Sequence, residues 1–284
     1  MTNVKKQHYV PRFYLRYFTD DNKGQLFVFD KKSNFIFQKN ITDICEQKYY
    51  YAFKDTEEYN FMLEEHLSRK ESEFSDVINT VITTIENYYY HKTKIIQTPN
   101  RNEKKVLLEF ICYQILRVPK FIESLFSMTL PNFKKFNKED GIVQTEKETI
   151  NEIKKYVFPY FFDKVDFLIS ILSKKNWKFL ILSNNLNERF ISSDNPIMIT
   201  NSDINSPIRG ALIDPMTEIA IPLSKNIALC LKERELQYKL NYTIVDTSDY
   251  VNYANNLLLK NSFRYTYSGN KSLLKNSCNV ENGA

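Results

Sequence analysis

The sequence predicts an α+β fold with an N-terminal β-hairpin, long central helices and a C-terminal antiparallel β-rich half. Three observations carry this. Aromatic and β-branched runs, Leu26-Phe27-Val28-Phe29 and Phe35-Ile36-Phe37, lie near the start. Helical periodicity then dominates from about 57 to 173, and short strand-like runs follow from Trp177 onward. Strands segregated from helices argue against a doubly wound sheet.

The elements follow in order. In Gln7-His8-Tyr9-Val10-Pro11-Arg12-Phe13-Tyr14-Leu15-Arg16-Tyr17-Phe18, Pro11 suits the first position of a helix. Asp20 to Gly24 reads as a turn, and Lys31-Lys32-Ser33-Asn34 closes the aromatic hairpin. Tyr49-Tyr50-Tyr51 suggests a third short strand. Glu57 to Tyr90 reads as one long helix, because Phe74, Val77, Ile78, Val81, Ile82 and Ile85 recur at three- and four-residue spacing. Asn102 to Met128 reads as a second, buried helix kinked at Pro119. Phe133 to Glu148 is charged and reads as a solvated excursion, and Thr149 to Ser173 as a third helical region interrupted near Pro159. Strands are expected at Trp177–Leu182, Arg189–Ser192, Ile197–Ile199, Glu218–Pro222, Ile227–Leu231, Tyr242–Val245 and Arg264–Tyr267. Ser248 to Lys260 is a helix with Ser248 as N-cap. Residues 1–270 make one domain, and the tail from 271 to 284 is expected to fray.

Composition excludes several classes. With 284 residues the chain can bury roughly three quarters of its extended surface, so it needs no staples. Charged residues are 26% and hydrophobic residues 43%, which rules out wholesale disorder. The cysteines Cys45, Cys112, Cys230 and Cys278 have no CxxC spacing. Met1 to His8 lacks an apolar signal core, and no run is apolar enough to span a membrane, so a soluble cytoplasmic protein is expected. Glycine-cradled phosphate motifs and GxSxG are missing, and three histidines without HExxH argue against a histidine-held zinc. The lysine pairs are scattered, and a net charge of +5 is a weak nucleic-acid signal.

Four constellations combine chemistry with placement. His8, Arg12 and Arg16 recur at four-residue intervals beside a predicted helix start, where free N–H groups attract anions. Alternatively the arginines pair with acids while Phe13, Tyr14 and Phe18 pack inward. Gln114 and Arg117 share a face of the apolar helix. A buried arginine must be paired, with Glu109, Glu71, Asp194 or a ligand anion. In Ser192-Ser193-Asp194-Asn195-Pro196, the proline holds Asn195 extended and fixes Asp194 at a strand end, either as a working carboxylate or in an Asx turn. Glu71 reads as part of a solvated face. A carboxylate-held Mg²⁺ would draw on Glu71 and Asp194.

The opening QHYVPRFYLRYF, Gln114-x-x-Arg117-x-Pro119, Ser193-Asp194-Asn195-Pro196 and Ile221-Pro222-Leu223-Ser224, in that order, resemble the bacterial domain-of-unknown-function 4238 family over about Gln7 to Ser268. The resemblance implies that His8, Arg12, Gln114, Arg117, Asp194 and Asn195 are motif positions. It supplies no reaction. One polar pocket lined by these residues is therefore expected. In the leading reading it belongs to a nuclease-like enzyme of a defence or toxin type. His8, Arg117 and Asp194 are catalytic, with Asp194 orienting His8 or holding a metal ion, and Arg12, Gln114 and Asn195 bind the ligand. Nucleic acid or a nucleotide is the expected partner. The alternatives are a non-catalytic anion-binding module and a buried network that docks the two halves.

Overall fold

The computed structural model describes residues 6–20, 24–55, 58–91, 99–201, 211–232 and 242–279. The chain opens with β1 (Lys6–His8), α1 (Arg12–Arg16) and the hairpin β2 (Gln25–Asp30) and β3 (Phe35–Asn40), then β4 (Glu46–Lys48), β5 (Phe53–Asp55) and β6 (Glu58–Asn60). Helices α2 (Met62–His91), α3 (Arg101–Arg117), α4 (Pro119–Glu139), α5 (Glu146–Phe162) and α6 (Val165–Leu172) form the middle. Strands β7 (Asn176–Leu182), β8 (Ser192–Ser193), β9 (Met198–Asn201), β10 (Thr217–Pro222), β11 (Ile227–Lys232) and β12 (Tyr242–Val245) follow. Helix α7 (Ser248–Asn261), β13 (Tyr265–Ser268) and α8 (Lys271–Asn279) close the chain. The fold is α+β, as expected.

The two chain ends share a sheet. Its order is β3-β2-β13-β8, so the N-terminal hairpin is completed by the last strand. A second sheet runs β12-β7-β11-β10-β9. Strand β11 lies antiparallel to β7 on one side, and β12 lies parallel to β7 on the other. Small pairs β1-β4 and β5-β6 flank the helices.

The α2 stripe packs as its spacing predicts, with Phe74, Ile78, Val81, Ile82 and Ile85 buried. Residues 58–60, expected as the helix start, instead pair with β5; Glu57 lies outside the described residues. The turn expected at 20–24 lies mostly outside them as well. Tyr49-Tyr50-Tyr51 is not a strand but part of the link between β4 and β5. The expected kink at Pro119 is a full break. Val118 is extended (φ −80°, ψ 151°), as a residue before proline should be, and Pro119 begins α4. The expected excursion over 133–148 is mostly helix: α4 runs to Glu139, and a Thr145/Glu148 capping box starts α5. The strand expected at 189–192 shrinks to the two residues of β8. Thr247, not Ser248, is the N-cap residue of α7, and Ser248 is the first residue of the helix.

The tail is also corrected. Lys271–Asn279 forms α8, whose fully buried Leu274 packs with Phe29, Leu258 and Leu259, while 280–284 lie outside the described residues. No helix among the described residues is long and apolar enough to cross a membrane.

Candidate functional site

The opening motif is held by its main chain. His8 pairs with Glu46 across β1-β4, and the Tyr9 N–H donates to the Cys45 carbonyl at 2.9 Å. Fully buried Gln7 accepts from the Tyr51 and Ala52 N–H groups at 2.7 and 3.3 Å. From α3, Gln114 Nε2 donates to the Tyr9 carbonyl at 2.9 Å. One turn on, Arg117 Nη2 donates to the His8 carbonyl and to Glu71 Oε1, the latter at 2.7 Å. The shared face predicted for Gln114 and Arg117 is thus real, and both side chains grip backbone.

Arg117 is 1% exposed. Burial opposes its charge, but Tyr51 and Glu71 outweigh that and hold it protonated above its ordinary range. Its partner is Glu71, which is therefore not on a solvated face; Glu109 pairs with Lys70 at 2.8 Å instead. Two turns earlier on α2, Glu64 shares the Glu71 face. Burial pushes its pKa up to about 7, with Arg117 opposing and Glu71 adding.

His8 sits at the edge of this group. Burial, then the Arg12 charge, push its pKa down, against Glu71, the Thr42 backbone and Glu46. Its Nε2 is buried with no hydrogen-bond partner among the described residues. Arg12 is exposed and makes no ion pair among the described residues. Helix α1 has only five residues with Pro11 as N-cap, so it does not provide the anion-binding helix start expected from the sequence.

Asp194 belongs to a different group. Fully buried, it accepts from the N–H groups of Phe263, Arg264 and Tyr265 at 2.7, 2.7 and 2.8 Å. Burial pushes its pKa up to about 6 against those three bonds. It thus caps the α7–β13 link, not its own turn; there Ser193 Oγ accepts from the Asn195 N–H at 3.2 Å. Asn195 and Asn261 exchange side-chain to carbonyl bonds at 3.0 and 3.3 Å. Asp194 therefore does not orient His8. Glu71 and Asp194 are engaged by separate partners, and among the described residues no three His, Cys, Asp or Glu side chains gather as a metal cage.

The expected single pocket is thus two groups. His8, Arg12, Gln114, Arg117 and Glu71 surround the opening strand, whereas Asp194 and Asn195 tie the closing elements. Buried Tyr50 feels both Arg117 and Asp194. Sequence reasoning missed Gln7, Tyr51 and Glu64. Glu64 was findable, since seven residues before Glu71 is the same helical face.

Neither a curated protein nor a solved structure matches the chain. The family model described as a protein of unknown function (DUF4238) matches residues 6–272, nearly the whole chain, and the chain belongs to that family.

Proposed function

We propose that the protein is a phosphodiester-directed hydrolase, nuclease-like and cytoplasmic, of a defence or toxin type, with His8, Glu64 and Arg12 as its working groups. The reading is supported by two titratable groups that both feel the Glu71 charge, a His8 held neutral and a Glu64 with its pKa raised to about 7, with Arg12, which makes no ion pair among the described residues, acting on His8. Burial keeps His8 neutral and Glu64 partly protonated near pH 7. His8 Nε2 takes a proton from the attacking water as its oxygen bonds phosphorus. The bond to the leaving oxygen breaks, and the Glu64 carboxylic acid protonates that oxygen. Arg12 offsets the phosphate charge. Arg117 and Gln114 act as positioning residues through the His8–Tyr9 backbone. Because Nε2 is closed to solvent, substrate binding must move a covering side chain.

The test is the pH profile of RNA and DNA cleavage, with and without Mg²⁺. A bell is expected for wild type, with cleavage lost in His8→Ala and the limb assigned to Glu64 shifted in Glu64→Gln. Cleavage with an unchanged profile in both variants refutes the proposal. A second reading, a docking scaffold, is favoured by the main-chain targets of Arg117, Gln114 and Asp194. Under it, both variants change stability alone.

A further inference from the structure

A cleft of about 730 Å³ lies between the β5–β6 hairpin and α5. Its walls are tied: Asn151 both donates to the Lys54 carbonyl and accepts from the Lys54 N–H. Tyr49 and Tyr59 stack at its side, ring centroids 4.0 Å apart and 4° from parallel. Lys154 reaches in from α5 and donates to the Tyr49 carbonyl at 2.8 Å. Burial pushes its amine pKa down to about 8, so most of it stays charged at neutral pH.

The charges do not balance. Lys48, Lys54, Lys147 and Lys154 line the cleft, and none makes an ion pair among the described residues. Lys54 rests over the Tyr59 ring, 5.5 Å from its centroid, which leaves its charge uncancelled. The two lining acids offset part of that charge and are held by neutral neighbours. Glu148 accepts from the Thr145 N–H and Oγ1 at 2.7 Å each, and Glu152 accepts from Gln144 at 2.9 Å. Four lysines against two carboxylates leave a surplus of two positive charges around a concave space for an anion from outside. The volume lies in the small-ligand range of roughly 300–1,000 Å³. Lysines bind phosphate as point charges.

We infer that this cleft binds a phosphate-bearing small molecule of nucleotide size, with Lys154 as the inner cation and Lys48, Lys54 and Lys147 around it. The site is separate from His8 and does not rest on the hydrolase reading. Calorimetric titration of the full chain with ATP and with inorganic tripolyphosphate tests it. Saturable binding of either is expected, weakened tenfold or more in Lys154→Met and in the exposed double variant Lys48→Ser/Lys147→Ser, and kept in His8→Ala. The double variant alters only rim side chains, so loss of fold does not explain its effect, and thermal melting without ligand confirms this. No saturable binding up to about 1 mM, the weak limit of useful affinity, overturns the inference. Binding that survives in the lysine variants, or is lost in His8→Ala, overturns it too.

Discussion

Arg117→Met removes a cation that the α2–α3 contact and the opening strand share. The guanidinium holds Glu71 at 2.7 Å and the His8 carbonyl, and Tyr51 Oη donates to the Arg117 carbonyl at 3.2 Å. Breaking a buried pair from one side costs about 3–5 kcal/mol. Glu71 keeps 28% side-chain exposure and can be rehydrated, so the lower end, about 3 kcal/mol, applies. Unfolding entropy of about 2.1 cal/mol/K per residue gives roughly 0.6 kcal/mol/K for this chain, so Tm should fall by about 5 °C. Thermal melting followed by circular dichroism measures it. Arg117→Lys keeps the charge without the fork and should lose less. A Tm within about 1 °C of wild type would refute the claim that Arg117 ties these elements.

Further outcomes follow from the same contacts. Glu64 has a folded pKa near 7 against an ordinary 4.5, so the folded state favours its protonated form. Its contribution is full below pH 4.5 and lost as pH rises through about 7. Glu64→Gln should flatten that decline in urea denaturation series. His8, with its pKa lowered, should stay neutral at pH 7 and titrate below the ordinary 6.5 in NMR, favouring the fold above that value. Asp194→Asn replaces an acceptor oxygen by a donor opposite three N–H groups; it should cost about 1–3 kcal/mol and speed amide exchange at Phe263, Arg264 and Tyr265. Tyr14→Phe leaves the Pro222 carbonyl without its 2.6 Å donor and should cost a similar amount, read by denaturant unfolding.

Local signals made much of the fold legible. The aromatic hairpin, the α2 stripe and the buried α3 are visible in spacing because each is fixed by neighbours in sequence. The pairing of β2 with β13 is not, since the two strands lie more than two hundred residues apart. For the site, burial logic supplied the correct rule for Arg117, that it must be paired, and Glu71 was among the partners it allowed. Asp194 escaped that logic, because a carboxylate that caps a distant loop looks in sequence like one that serves chemistry. The opening motif does start a short helix after Pro11, yet the contacts to α3 are made by strand β1 and by carbonyls that no side-chain pattern reveals.

Under the proposed hydrolase reading, buried polar residues hold the backbone for proton transfer by His8, with a direct consequence for activity. Cleavage of RNA and DNA by wild type and by His8→Ala, with melting measured on the same samples, tests it most directly. The expected result is cleavage that disappears in His8→Ala while Tm is unchanged. Equal cleavage by both proteins, or none by wild type with or without Mg²⁺, would contradict it.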